Sequence, residues 1–189
     1  RRNQPSSHIK YGEANAVLAG DALQALAYEI IVDDIFLSSD DKVNAINLLS
    51  KACGKNGMVF GQYLDIKNEN NQNIDMQKLD DIHNLKTGKL IECAVMLGQT
   101  GSSLESESLN ALRDFSSKIG LAFQITDDIL DVTQIESVLG KNKNSDAKNN
   151  KLTYIDIIGL DEAKVKVNKL TNSALNSLSQ SNISNINKL

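Results

Sequence analysis

The sequence is poor in residues that punctuate or staple a chain. It has one proline, two cysteines and no tryptophan, and only 4% of its 189 residues are aromatic. So little proline leaves long helices uninterrupted and argues against a sandwich of many short strands. Two cysteines, Cys53 and Cys93, cannot build a disulfide scaffold. The expected setting is reduced and cytoplasmic. Basic residues are outnumbered 20 to 24, giving a formal net charge of −4 and a pI near 5.2. That balance argues against a nucleic-acid coat or a polybasic membrane binder. No uninterrupted apolar run reaches roughly 18 residues, so no membrane span is expected. The chain does have 41% hydrophobic residues, enough for a core and too many for disorder. It opens on Arg1-Arg2-Asn3-Gln4-Pro5 without an initiator Met, which reads as the interior of a longer protein.

The apolar residues follow helical spacing. Leu23, Leu26, Ala27, Ile30 and Ile31 share one face of a helix expected over 13–36. Ser38-Ser39-Asp40-Asp41 reads as a break and a new start, with Ser as N-cap and acids in the first turn. The next helix carries Val43, Ile46, Leu49 and Met58, interrupted by Gly54, Gly57 and Gly61. A polar loop over 68–73 precedes a helix over 75–99. After a turn at 101–103 comes a long helix over 104–132, and a last helix spans 160–177. Residues 136–152 are Lys/Asn-rich and read as a solvated linker or a lid. No strand pattern is present.

One stripe stands out. Gln124, Asp127, Asp128 and Asp131 fall within a helical sector about 100° wide. Their neighbours Phe123, Ile125, Ile129 and Leu130 are apolar, and no cation lies among them. Three like charges in a partly desolvated groove are costly unless a cation joins them. A hard divalent ion such as Mg²⁺ takes oxygen ligands and bridges carboxylates to phosphates. The alternative is an acidic helix surface. Asp33-Asp34, Asp40-Asp41 and Asp80-Asp81 lack this pattern or serve helix ends. A second signal is Lys86-Thr87-Gly88-Lys89 inside the helix over 75–99. No Gly-rich stretch or strand leads into it, so it is not a P-loop. A mid-helix Gly permits a kink, a kink frees a carbonyl, and a Lys beside it can reach an anion. The alternative is an exposed Lys with an incidental Gly.

Several segments together resemble the trans-isoprenyl diphosphate synthases, the polyprenyl synthetase family, and within it the bacterial farnesyl diphosphate synthase (geranyltranstransferase) group. They are Arg1-Arg2-Asn3-Gln4-Pro5-Ser6-Ser7-His8, the stretch from Gly12 to Leu23, Gly61-Gln62-Tyr63-Leu64-Asp65 and Lys86-Thr87-Gly88. The stretch from Gly120 to Asp131, Leu139-Gly140-Lys141 and Lys151-Leu152-Thr153-Tyr154 complete the set. Their order and spacing follow the family through nearly the whole chain. Asn3, Ser6 and Ile155 depart from its usual Gly, Thr and Pro.

The resemblance implies an all-α fold, an antiparallel helix bundle around a central cavity. Residues 1–189 would be the C-terminal portion of a single polyprenyl synthetase domain, with 136–152 a lid loop. The first of the family's two Asp-rich motifs would lie just before Arg1, outside this sequence. Asp127, Asp128 and Asp131 match the second and would hold Mg²⁺. Arg1 would bind the allylic diphosphate and Arg2 the isopentenyl diphosphate. Lys86, Lys141 and Lys151 would also hold the allylic diphosphate. Gln124 and Thr87, with the Lys86 carbonyl, would stabilise the allylic cation, and Phe123 would line the site. The implied activity is Mg²⁺-dependent condensation of dimethylallyl or geranyl diphosphate with isopentenyl diphosphate, giving farnesyl diphosphate, in a homodimer. The alternatives are a geranylgeranyl or longer-chain synthase, or a non-catalytic partner subunit. A chain lacking the first Asp motif is expected to be inactive by itself. His8 and His83 carry over no role.

Overall fold

In a computed structural model, residues 4–71, 73–138, 152–181 and 183 are described, and among them there are helices and no strand. Two compact units divide the chain, residues 1–47 and 48–189.

The first unit holds α1 (Ser7–Tyr11), α2 (Glu13–Asp33) and the beginning of α3 (Ser39–Cys53). Gly12, at φ +88°, turns the chain from α1 into α2. That left-handed region is open to glycine at no steric cost. α2 ends at Asp33, three residues before the expected Phe36. The Asp34 carboxylate accepts from the Phe36 and Leu37 amides at 2.8 and 3.0 Å, and this Asx turn competes with further helix. The expected restart is a capping box. The Asp41 amide donates to Ser38 Oγ at 3.2 Å, and the Ser38 amide and hydroxyl donate back to the Asp41 carboxylate. α2 buries none of its residues. By length and composition, with a mean hydropathy of 1.2, it is long and apolar enough to cross a membrane. Asp21 and Glu29 interrupt its apolar sequence.

The second unit holds the rest of α3, α4 (Met58–Lys67), α5 (Met76–His83), a π-helical turn (Asn84–Gly88), α6 (Lys89–Leu97), α7 (Ser106–Val138), α8 (Tyr154–Ile158) and α9 (Leu160–Ser179). Glycines part α3 from α4: a Cβ at Gly57 would stand 2.0 Å from the Ala52 carbonyl oxygen. α7 is the spine. α9 and α6 pack along it, and the π turn lies between it and α4. α7 outruns the expected end at 132. Residues 133–138 contain neither Gly nor Pro, so nothing stops the helix before Leu139-Gly140. Residues 136–138 of the expected loop are therefore helical, and 139–151 lie outside the described residues. α8 precedes the last helix, which is expected over 160–177. The first turn of α8 is held by a capping box between Thr153 and Asp156, and Gly159 at φ +79° turns it into α9.

One core cluster joins Ile74, Leu79, Ile125, Tyr154 and Ala163, and a second joins Met96, Leu112 and Leu178. Full burial of a side chain such as Ile125 contributes about 2 kcal/mol. Cys53 and Cys93 are buried free thiols. Burial, with Cys53 and Glu92 nearby, pushes the Cys93 thiol up to about 11, so it is protonated and unreactive.

Candidate active site

The site is built where the helix over 75–99 breaks. α5 is started by Asp75, whose carboxylate accepts from the Lys78 amide at 2.8 Å. After His83 the helix widens into a π turn, and the Lys89 amide bonds the Asn84 carbonyl five residues back. Such turns insert one residue and re-aim the side chains around it. Neighbouring backbones press on this one from two sides. A Cβ at Gly61 of α4 would stand 2.2 Å from the Lys86 amide nitrogen, and one at Gly120 of α7 would stand 3.0 Å from Gly88 Cα. The expected irregularity at Lys86-Thr87-Gly88 is thus a π turn gripped by glycines from α4 and α7.

The turn presents two side chains to partners far away in sequence. Lys86 Nζ pairs with Asp65 Oδ2 at 2.8 Å, and the two side chains are 29% and 12% exposed. Thr87 Oγ1 donates to Gln124 Oε1 at 2.6 Å. The structure therefore brings Lys86, Thr87 and Gln124 into one neighbourhood.

The acidic stripe divides. Asp127 and Asp131 are half-buried on α7, whereas Asp128 is only 6% exposed and its Oδ2 accepts from the Tyr154 amide at 3.0 Å. The apolar flanks divide as well. Ile125 and Ile129 join the core, while Phe123 and Leu130 stay exposed. Among the described residues, no three His, Cys, Asp or Glu side chains converge into a ready-made metal group.

Beside the stripe lies a half-buried polar layer. The Tyr154 hydroxyl donates to Asp80 Oδ1, Lys166 Nζ reaches the same oxygen at 3.4 Å, and Lys166 lies 4.8 Å from the Tyr154 ring centroid. Burial, ahead of the Asp80 carboxylate, pushes the Tyr154 phenol well up, so it is a donor at any ordinary pH. His83 stacks on Tyr154 with ring centroids 5.4 Å apart. Burial, then the Lys86 charge, lowers the His83 pKa to about 4 against the opposing pull of Asp65, Gln124 and Asp80. The imidazole is therefore neutral. The Gln124 amide is near enough to influence it, yet neither ring nitrogen makes a hydrogen bond of standard geometry.

The family model for polyprenyl synthetase matches residues 1–189, the whole of the chain. The chain belongs to the polyprenyl synthetase family. It is 42% identical over 183 residues to farnesyl diphosphate synthase of Escherichia coli, covering 95% of this chain and 61% of that protein. It is 40% identical over 178 residues to the chloroplastic geranylgeranyl pyrophosphate synthase 3 of Arabidopsis thaliana, covering 92% and 49%. In structure it is similar to a Helicobacter pylori geranyltransferase complexed with magnesium and isoprenyl diphosphate, with a TM-score of 0.80 and 37% identity. That likeness covers 95% of this chain and 58% of that one. The chain thus spans about three fifths or less of the length of these relatives. The all-α fold expected from the motifs is the fold shared with these polyprenyl synthetase structures.

Other expected site residues of this polyprenyl synthetase chain lie outside the described residues: Arg1, Arg2, Lys141 and Lys151. The residues that sequence reasoning passed over are Asp65, Asp80, His83, Tyr154 and Lys166. Asp65 and Tyr154 lie in the segments that resemble the family, where no role is implied for them. Asp80 has no third acid one turn on, so no stripe marks it. Its partners come from α8 and α9, which sequence distance conceals.

Proposed function

We propose that the full-length protein is a prenyltransferase that condenses an allylic diphosphate with isopentenyl diphosphate, giving farnesyl diphosphate and diphosphate. The observation that carries this reading is the Thr87–Gln124 pair beside Lys86: two oriented dipoles and a cation gathered at one turn. The allylic C–O bond must ionise, leaving an anion and a carbocation. Lys86 would hold the anion. The Gln124 carbonyl, the Thr87 hydroxyl and the Lys86 carbonyl offer electron density to the cation without capturing it as a nucleophile would. Gln124 Oε1 accepts from Thr87 with one lone pair, and an amide oxygen has two. Phe123 would line the site, where an apolar wall would limit water at the cation. The departing diphosphate takes the final proton, so no side-chain base is needed.

The donor set suits Mg²⁺. Asp127 and Asp131 supply hard carboxylate oxygens one helical turn apart. Mg²⁺ needs no all-protein cage, since it keeps waters and binds through one or two carboxylates plus phosphates. When bound, it would neutralise charge on the leaving diphosphate. Arg1, Lys141 and Lys151 would add positive charge for the allylic diphosphate and Arg2 for isopentenyl diphosphate.

The further parts of this reading are that the 189 residues form the C-terminal portion of one domain, that the protein is cytoplasmic, and that it is a homodimer. In support of a dimer, α2 leaves Leu23, Leu26 and Ile30 exposed, and the acids Asp21 and Glu29 favour a packing helix over a membrane span. Light scattering of the full-length protein tests the dimer. A geranylgeranyl product is the second reading, supported by the likeness to a plant enzyme so named. Chain-length analysis of the product made with Mg²⁺ decides between them, and Asp127→Ala should lower the rate by orders of magnitude. An unchanged rate would reject the metal assignment. Absence of any prenyl product would favour a non-catalytic partner subunit. The isolated 189-residue chain should give no turnover.

A further inference from the structure

We propose that Asp128 is a positioning residue, whose buried carboxylate holds the Tyr154 backbone amide and fixes α8 against α7, while the metal-holding role belongs to Asp127 and Asp131. The assignment of metal to those two rests on the reading above; the strut does not.

Asp128 differs from its two neighbours in burial. It is 6% exposed, and a carboxylate so far from water needs donors. Its Oδ2 has one in the Tyr154 amide at 3.0 Å, a buried bond across 26 residues. Tyr154 is the first residue of α8, so its N–H has no carbonyl to bond within that helix. The carboxylate thus supplies the acceptor that the Tyr154 N–H lacks within its own helix. Tyr154 is itself immobilised: it is fully buried, its hydroxyl is held by Asp80, Lys166 caps its ring and His83 stacks on it. The strut thus runs from α7 through Tyr154 to α5 and α9.

Asp131 lies about 40° around α7 from Asp127, and Asp128 about 60° further in the same direction, on the buried side. The Oδ2 atom of Asp128 is engaged by the Tyr154 amide on the buried side of α7.

The test uses the full-length protein with Mg²⁺ and inorganic diphosphate as the probe. Asparagine keeps an acceptor for the Tyr154 amide but removes the charge. Asp128→Asn should leave the apparent Mg²⁺ dissociation constant, read by calorimetry, within about twofold of wild type, whereas Asp127→Asn should raise it about tenfold or more. Equal weakening in the two variants would overturn the proposal. Hydrogen exchange on the wild-type protein covers the case in which Asp128→Asn does not fold. The Tyr154 amide should be protected without Mg²⁺ and stay protected with it. Fast exchange, or protection lost on adding Mg²⁺, would overturn the strut. Wild-type protein that binds no Mg²⁺ at any concentration would remove the metal reading alone, and the Tyr154 amide would still decide the strut.

Discussion

The Thr87 hydroxyl donates to the Gln124 side-chain carbonyl at 2.6 Å, joining residues 37 apart in sequence. Thr87 can reach because the helix carrying it widens into a π turn, and the turn stays in place because Gly61 and Gly120 let two other helices touch its backbone. A local irregularity, two glycine contacts and one hydrogen bond thus define where a cation would be met by dipoles.

The first prediction concerns that pair. Its dipoles should act on the developing cation more than on bound substrate, so their loss belongs in kcat. Thr87→Val should lower kcat about 10- to 100-fold in the full-length protein with KM for the allylic diphosphate little changed, and Thr87→Ser should restore most of it. Gln124→Leu should do the same. The double variant should lose less than the sum, because the partners act as a unit. Steady-state kinetics over the four forms checks this. A rise in KM at constant kcat would mean that the pair only binds substrate.

A second prediction follows from His83. Its folded pKa, about 4, lies below the ordinary 6.5, so the unfolded chain takes up the proton first as pH falls. Stability from this group is whole above about pH 6.5 and is lost progressively toward pH 4, amounting to about 3 kcal/mol in the limit. Lys86, Asp65, Asp80 and the Gln124 amide are the groups that face it. Urea unfolding of the full-length protein between pH 4 and 7.5 should show that slope, and His83→Phe should flatten it. An identical slope in both proteins would place the proton uptake elsewhere.

These residues also show where sequence reading reaches its limit. The stripe on α7 was legible because one helix carries all of it and helical period alone puts its members on one face. The irregularity at Lys86-Thr87-Gly88 was legible because a glycine interrupts an otherwise helical run. Its π character was not, since that depends on backbones arriving from α4 and α7. Asp128 looked equivalent to Asp127 because periodicity sees angle and not burial. Burial and the Tyr154 amide, brought in by α8, distinguish Asp128. α8 escaped notice because five residues are too few for a periodic signal, and its capping box carries Asp rather than Glu or Gln.

The third prediction tests the grip on the π turn. A methyl at residue 61 would stand 2.2 Å from the Lys86 nitrogen and 2.6 Å from the Leu85 carbonyl carbon, both backbone atoms that no rotamer can move. Gly61→Ala should therefore destabilise the protein by about 1–3 kcal/mol in chemical unfolding. It should also lower kcat, since the displaced turn carries Thr87. An alanine variant as stable as wild type would show that α4 moves away easily and does not hold the turn.

The fourth prediction removes the hydroxyl of Tyr154. Asp80 accepts from that hydroxyl and from Lys166, whose nitrogen is at the longer distance of 3.4 Å. In Tyr154→Phe the ring stays to fill the core and stack on His83, but a half-buried carboxylate loses its closest donor. The expected cost is about 1–3 kcal/mol in unfolding free energy, the penalty of a polar group left short of a partner. Pairing the change with Asp80→Leu removes the stranded charge, so the double variant should be less destabilised than the sum of the two single changes. Strict additivity would show that the hydroxyl and the carboxylate do not depend on each other, and that packing of the ring alone holds α8 to the core.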